Sequence, residues 1–159
     1  MPSFGSTQDL QKHIQQITLT KIKSYLMNIV ANVLKDYVNE LVYEANDPSD
    51  YERTYELLNS ITISDFKKVG NTYKIKVFFD NDKINTYITN DGEWNKHADI
   101  YGNSVADELP YYLEYGTNGS LHDKKPARFT QKTYEYFINT NRHIIELKNR
   151  LKQQGIIVV

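Results

Sequence analysis

The chain has 159 residues and a mass of 18.6 kDa, the size of one domain spanning 1–159 that buries about 70% of its unfolded surface. With 40% hydrophobic residues and no cysteine, it requires no disulfide to hold a core, and thiolate metal sites and cysteine nucleophiles are excluded together. A net charge of −1 and a pI near 6.4 are unlike the basic footprint of a dedicated nucleic-acid binder.

The N-terminus, Met1-Pro2-Ser3-Phe4-Gly5, has no basic region leading into an apolar run. No stretch approaches the ~18 apolar residues of a membrane span, so the expectation is a soluble protein, neither exported nor anchored. Ser6 or Thr7 can cap a helix with Asp9 in its first turn, and apolar residues then recur at helical spacing from Leu10 to Val42. An unbroken helix from Thr7 to Ala45 would be about 58 Å long. It must protrude or break, and the β-branched patch Ile17-Thr18-Leu19-Thr20 is the expected break. Asn46-Asp47-Pro48-Ser49-Asp50 ends the segment with turn-forming residues and a proline.

Ile61-Thr62-Ile63-Ser64 opens a period-2 pattern, and Tyr73, Ile75, Val77 and Phe79 alternate with Lys74 and Lys76. Gly70-Asn71 between these strands suits a tight hairpin turn with a positive φ. A third strand is expected over Ile84–Ile88. The run from Thr89 to Asp107 is polar and longer than most connections in compact domains, and such loops usually bind something or are ordered by a partner.

Leu109-Pro110-Tyr111-Tyr112-Leu113-Glu114-Tyr115 reads as an aromatic-rich helical turn or strand stopped by Gly116, before a polar loop through Asn118-Gly119-Ser120. Pro126 is expected to open the next helix, because its fixed φ suits a first helical position. Tyr134, Phe137, Ile138, Ile144, Ile145 and Leu151 lie on one face of that helix, while Asn139-Thr140-Asn141 weakens its middle. Gly155 ends it as a C-terminal cap. The tail 155–159 closes on Ile156-Ile157-Val158-Val159, apolar and β-prone, which docks on its own sheet, adds an edge strand to a neighbour, or stays unordered. These elements define an α+β domain: a long N-terminal helix and a C-terminal helix packed on a small, mainly antiparallel sheet.

Charge is unevenly spread. From Asp80 to Tyr115 eight acidic residues face two basic ones, and from Asp123 to Lys152 eight basic residues face three acidic ones. Opposed patches of this kind suit head-to-tail contacts between identical subunits.

Little in the chain points to catalysis. His13, His97, His122 and His143 never fall at the i, i+4 spacing of paired metal ligands on a helix. The best polar constellation is Asp80-Asn81-Asp82 with His97-Ala98-Asp99, and a metal-dependent hydrolase using Asp80, Asp82 and His97 is the enzyme alternative. Yet the glycine and distal glutamate of a calcium loop are absent, and solvated turns explain these residues. No phosphate cradle or nucleophile elbow occurs. Glu114, between Leu113 and Tyr115, reads as a structural hydrogen-bond acceptor, and Tyr111, Tyr112 and Tyr115 as an interface anchor.

The sequence Tyr-x-x-Glu-Tyr-Gly-Thr at 111–117, followed by Pro-Ala-Arg-Phe at 126–129, resembles the tail-completion and head-tail joining proteins of tailed bacteriophages, the HK97 gp10-like group. Upstream, the stretch from Tyr51 to Asn59 leading into Ser60-Ile61 is similar to a second segment of that family. The resemblance implies a virion protein, not an enzyme, with no cofactor and no bound metal. It implies a ring of six subunits at the neck, between a head adaptor on the portal side and the tail tube or terminator. Viral DNA would pass through the lumen without sequence-specific binding, no membrane would be involved, and the chain would reside in the host cytoplasm until assembly. Tyr112, Glu114, Tyr115, Gly116 and Thr117 would fix a loop base at the subunit interface, with Pro126, Arg128 and Phe129 starting the helix against which the loop folds. A tail terminator or other tail-tube protein of the same virion is the nearest alternative.

Overall fold

The computed structural model describes residues 5–45, 55–64, 67–70, 72–84, 105–116, 125–153 and 155. Helix α1 (Thr7–Val38) starts where expected, with the Ser6 hydroxyl accepting the Asp9 N–H at 3.2 Å. It does not break at Ile17–Thr20. The Thr20 hydroxyl donates to the Gln16 carbonyl at 2.9 Å, so the β-branched patch is absorbed within the helical ladder. The irregularity falls later, where Asn39–Glu44 widens into a π-helical turn and the Ala45 N–H reaches the Glu40 carbonyl at 3.1 Å. Helix α1 alone is about 48 Å long, and its buried residues, Ala31, Leu34 and Val38, all lie in its C-terminal half. Leu10, Ile14 and Ile17 are exposed, so the N-terminal turns protrude from the core. No helix among the described residues is long and apolar enough to cross a membrane.

Short helix α2 (Glu56–Ser60) leads into β1 (Ile61–Ile63), which pairs antiparallel with β4 (Val77–Phe79) in the register Ile61 to Phe79. Between them, β2 (Lys67–Val69) and β3 (Thr72–Lys74) form a hairpin with Lys67 opposite Lys74, and Gly70 at its turn has φ +61°. The run expected as one strand from Tyr73 to Phe79 is thus two. Ile75 and Lys76 join them, the Lys76 N–H donating to the Ser64 hydroxyl at 3.0 Å and its carbonyl accepting the Ser64 N–H at 2.7 Å. Of the third strand expected at Ile84–Ile88, only Ile84 is described, buried at the end of a 3₁₀ turn over Asn81–Lys83.

Helix α3 spans Leu109–Tyr115, and the expected C-terminal helix is two: α4 (Phe129–Thr140) and α5 (Arg142–Gln153). The joint is Asn141 at φ +50°, a left-handed conformation that asparagine tolerates better than most residues. Gly155 follows α5 with φ +75°, its N–H donating to the Lys152 carbonyl at 2.9 Å. The architecture is α+β, helices on small antiparallel pairings. Its core joins Ala31, Leu34 and Val38 of α1 to Leu57, Ile61, Ile84, Ala106 and Phe129. Asn46–Asp50, most of the Thr89–Asp107 loop, Thr117 to Lys124 and Ile156–Val159 lie outside the described residues.

Candidate functional site: the joint between α3 and α4

The two halves of the Tyr-rich motif meet through the backbone. Pro110 sits in the first turn of α3, and Gly116 closes the helix at φ +79°, its N–H donating to the Tyr112 carbonyl at 2.8 Å. The chain returns at 125–128, where the Ala127 N–H donates to the Leu113 carbonyl at 2.9 Å and the Arg128 N–H to the Glu114 carbonyl at 3.1 Å. Pro126 therefore lies in this extended return segment and does not open the helix. Arg128 stands at the N-cap in a left-handed conformation, φ +53°, and α4 begins at Phe129.

Arg128 supplies no capping side chain, so the first amides of α4 need an acceptor from elsewhere. Glu114 provides it. Only 5% exposed, its carboxylate accepts the Thr130 N–H at 3.0 Å, the Gln131 N–H at 3.3 Å and the Thr130 hydroxyl. A negative charge at a helix N-terminus also opposes the positive end of the helix dipole. In the same turn, Phe129 is 0% exposed and meets Phe79 edge-on at 5.5 Å between ring centroids. The Thr133 hydroxyl donates to the Phe129 carbonyl at 2.8 Å.

On the outside of this joint lie the tyrosines. Tyr111 and Tyr115 are 61% and 62% exposed with ring centroids 4.7 Å apart, and the Tyr112 hydroxyl donates to the Glu108 carboxylate. The structure thus brings Tyr112, Glu114, Tyr115, Gly116, Pro126, Arg128 and Phe129 to one joint, inner members fixing the backbone and tyrosines facing out. Thr117 lies outside the described residues. The upstream motif contributes to the core instead: Leu57, Ser60 and Ile61 are all buried, with the Ser60 carbonyl accepting the Asp80 N–H at 2.8 Å.

The residues of the enzyme alternative are placed differently. Asp80 pairs with Lys83 at 3.3 Å and Asp82 is exposed, while His97 lies outside the described residues. Among the described residues no group of three His, Asp or Glu gathers to hold a metal.

Sequence reasoning missed a second polar tie, between α1 and α5. The Tyr25 hydroxyl and the Arg142 guanidinium both donate to the Glu146 carboxylate, Arg142 also reaches the Tyr136 hydroxyl at 2.7 Å, and Arg150 lies over the Tyr25 ring at 5.2 Å. The Tyr25 hydrogen bond, then Arg142, holds the Glu146 carboxyl below its usual range. Burial, reinforced by Glu146, pushes the Tyr25 phenol up. The Arg142-Glu146 spacing of four was the available signal; its third member lies 121 residues away.

The joint is thus built of caps, turns and core aromatics, with exposed rings on its outer side. The chain belongs to the YomN family, whose description matches residues 6–153. That family is phage-derived, its name coming from a Bacillus prophage, and makes this a phage-associated protein. No curated protein and no solved structure matches.

Proposed function

We propose that the chain is a structural virion protein of a tailed phage, which closes with copies of itself into a ring at the neck and completes the tail or joins head to tail. Its work is joining rather than catalysis. The observation that carries the reading is the joint itself: Glu114 and Phe129 hold its backbone rigidly, while Tyr111 and Tyr115 are left exposed above it. Fixed aromatic rings lose little conformational freedom on docking and are common anchors of interfaces.

Two further surfaces favour a neighbour of the same kind. The protruding turns of α1 carry the apolar row Leu10, Ile14 and Ile17. A hollow of about 560 Å³ opens between Leu26 and Val30 of α1, Ile75 and Val77, and Phe137 and Ile138 of α4. A ridge and a hollow on different parts of one chain are the arrangement that head-to-tail contacts require, and a ring results when the rotation closes. In this reading the partners are further copies, six in the ring, flanked by a head adaptor on one side and a tail tube or terminator on the other, in the virion. Viral DNA traverses the lumen without sequence readout.

Deleting the gene from an inducible phage tests this. Filled heads accumulating beside separate, complete tails are the expected result. Tails of abnormal length would identify a terminator, and normal virions would refute both assignments.

A further inference from the structure

The hairpin and the strands that continue it carry lysines in an ordered row. Ile75 and Val77 line the hollow beside α1 and α4, and Phe79 packs on Phe129, while Lys74 and Lys76, which alternate with them in sequence, are exposed. Lys67 stands directly opposite Lys74 and shares its face. Further along, Lys76 lies over the Phe78 ring at 5.7 Å, and Lys83 donates to the Thr62 hydroxyl at 2.7 Å, Thr62 being the cross-strand partner of Phe78. Lys68 projects from the same hairpin.

Among the described residues no carboxylate pairs with Lys67, Lys74 or Lys76, and only Lys83 has one, Asp80. Two like charges directly across a ladder destabilise it, so this row is costly unless an anion lies over it. Lysine is depleted at protein–protein interfaces, whereas phosphate backbones are met by rows of it. Alternate residues on a strand lie about 7 Å apart, which spreads these charges along a line instead of focusing them on one small ligand.

We infer that the outer face of the β2–β3 hairpin and β4, through Lys67, Lys74, Lys76 and Lys83, lies along the phosphate backbone of duplex DNA without reading its sequence. The inference rests on the ribbon's own charges and holds whether or not copies close into a ring. With a chain of net charge −1, binding is weak and controlled by salt.

Fluorescence anisotropy of the purified chain with a labelled 30-base-pair duplex tests it. About three to four phosphate contacts predict a loss of about a hundredfold in affinity between 50 and 200 mM salt. Lys67→Glu should lower affinity at least tenfold at 50 mM salt and flatten the salt slope by about two contacts. It also replaces the like-charged pair with an ion pair across to Lys74, so the ribbon stays folded, which circular dichroism and the melting midpoint confirm. Lys148→Glu on the exposed side of α5 changes net charge equally and should leave affinity within twofold. Equal losses in both variants, no binding to the duplex, or salt-dependent self-association without DNA binding would each overturn the inference. None of these readouts depends on the neck assignment, which the deletion phenotype judges separately.

Discussion

Replacing Glu114 with alanine is the sharpest test of how the joint is held. The carboxylate takes the Thr130 N–H at 3.0 Å, the Gln131 N–H at 3.3 Å and the Thr130 hydroxyl, at the start of a helix with no capping side chain of its own. Loss of an N-cap costs about 0.5–2 kcal/mol, and donors left without an acceptor in a partly buried turn add about 1 kcal/mol more. The expected destabilisation is therefore about 1.5–3 kcal/mol. At about 2–4 °C per kcal/mol for a chain of this size, the melting midpoint falls by about 3–12 °C. Glu114→Gln keeps one acceptor oxygen and should lose about half as much. Urea unfolding followed by far-UV circular dichroism gives the free energies, and hydrogen exchange at the Thr130 and Gln131 amides locates the loss. A Glu114→Ala protein within 0.5 kcal/mol of the parent, with both amides still protected, would refute the remote-cap account.

Phe129→Ala empties the centre of the core, where the ring is fully buried against Phe79, and should cost about 3–5 kcal/mol by equilibrium unfolding. Asn141→Ala forces a less tolerant residue into φ +50° and should cost about 1 kcal/mol, with Asn141→Gly close to neutral by the same measurement. The tie between α1 and α5 depends on pH with a defined sign. Because the folded state holds the Glu146 carboxyl below its usual range, its stabilisation is complete above the unfolded carboxylate's range and fades as pH falls through the lowered folded value. Melting midpoints of the parent and Glu146→Gln should therefore differ most between about pH 6 and 8 and draw together only as pH falls below the ordinary glutamate range, toward the lowered folded value.

What the sequence disclosed was what neighbouring residues decide. The turn at Gly70, the stop at Gly116 and the end at Gly155 were legible because each needs a positive φ that glycine accepts at little cost. The α+β composition followed from the change in period between Val42 and Ile61. Ile17–Thr20 misled because β-branched residues lower helix propensity only slightly, and one hydroxyl bond to Gln16 suffices to keep Thr20 in the helix. Pro126 misled for a different reason. Its φ suits a helix start, but the acceptor for the first turn of α4 is Glu114, and the helix begins at Phe129, where that carboxylate can reach the next two amides, those of Thr130 and Gln131. Nothing in the local sequence around Pro126 encodes that distance.

The same distinction governs the reading of function. Leu10, Ile14 and Ile17 show the periodicity of a face meant to be covered, and the pattern is the same whether the cover is the chain's own sheet or another molecule. Only the fold separates the two cases. It gathers Ala31, Leu34 and Val38 of that helix into the core and leaves the earlier row outside it. The helix is thus divided between two tasks, one half stabilising the domain and the other presenting a surface. Glu114 divides its own motif in the same way, with Phe129 turned inward on one side and Tyr111 and Tyr115 outward on the other. The rigid link between copies proposed above would need that division, since a contact surface is only as well placed as the core beneath it.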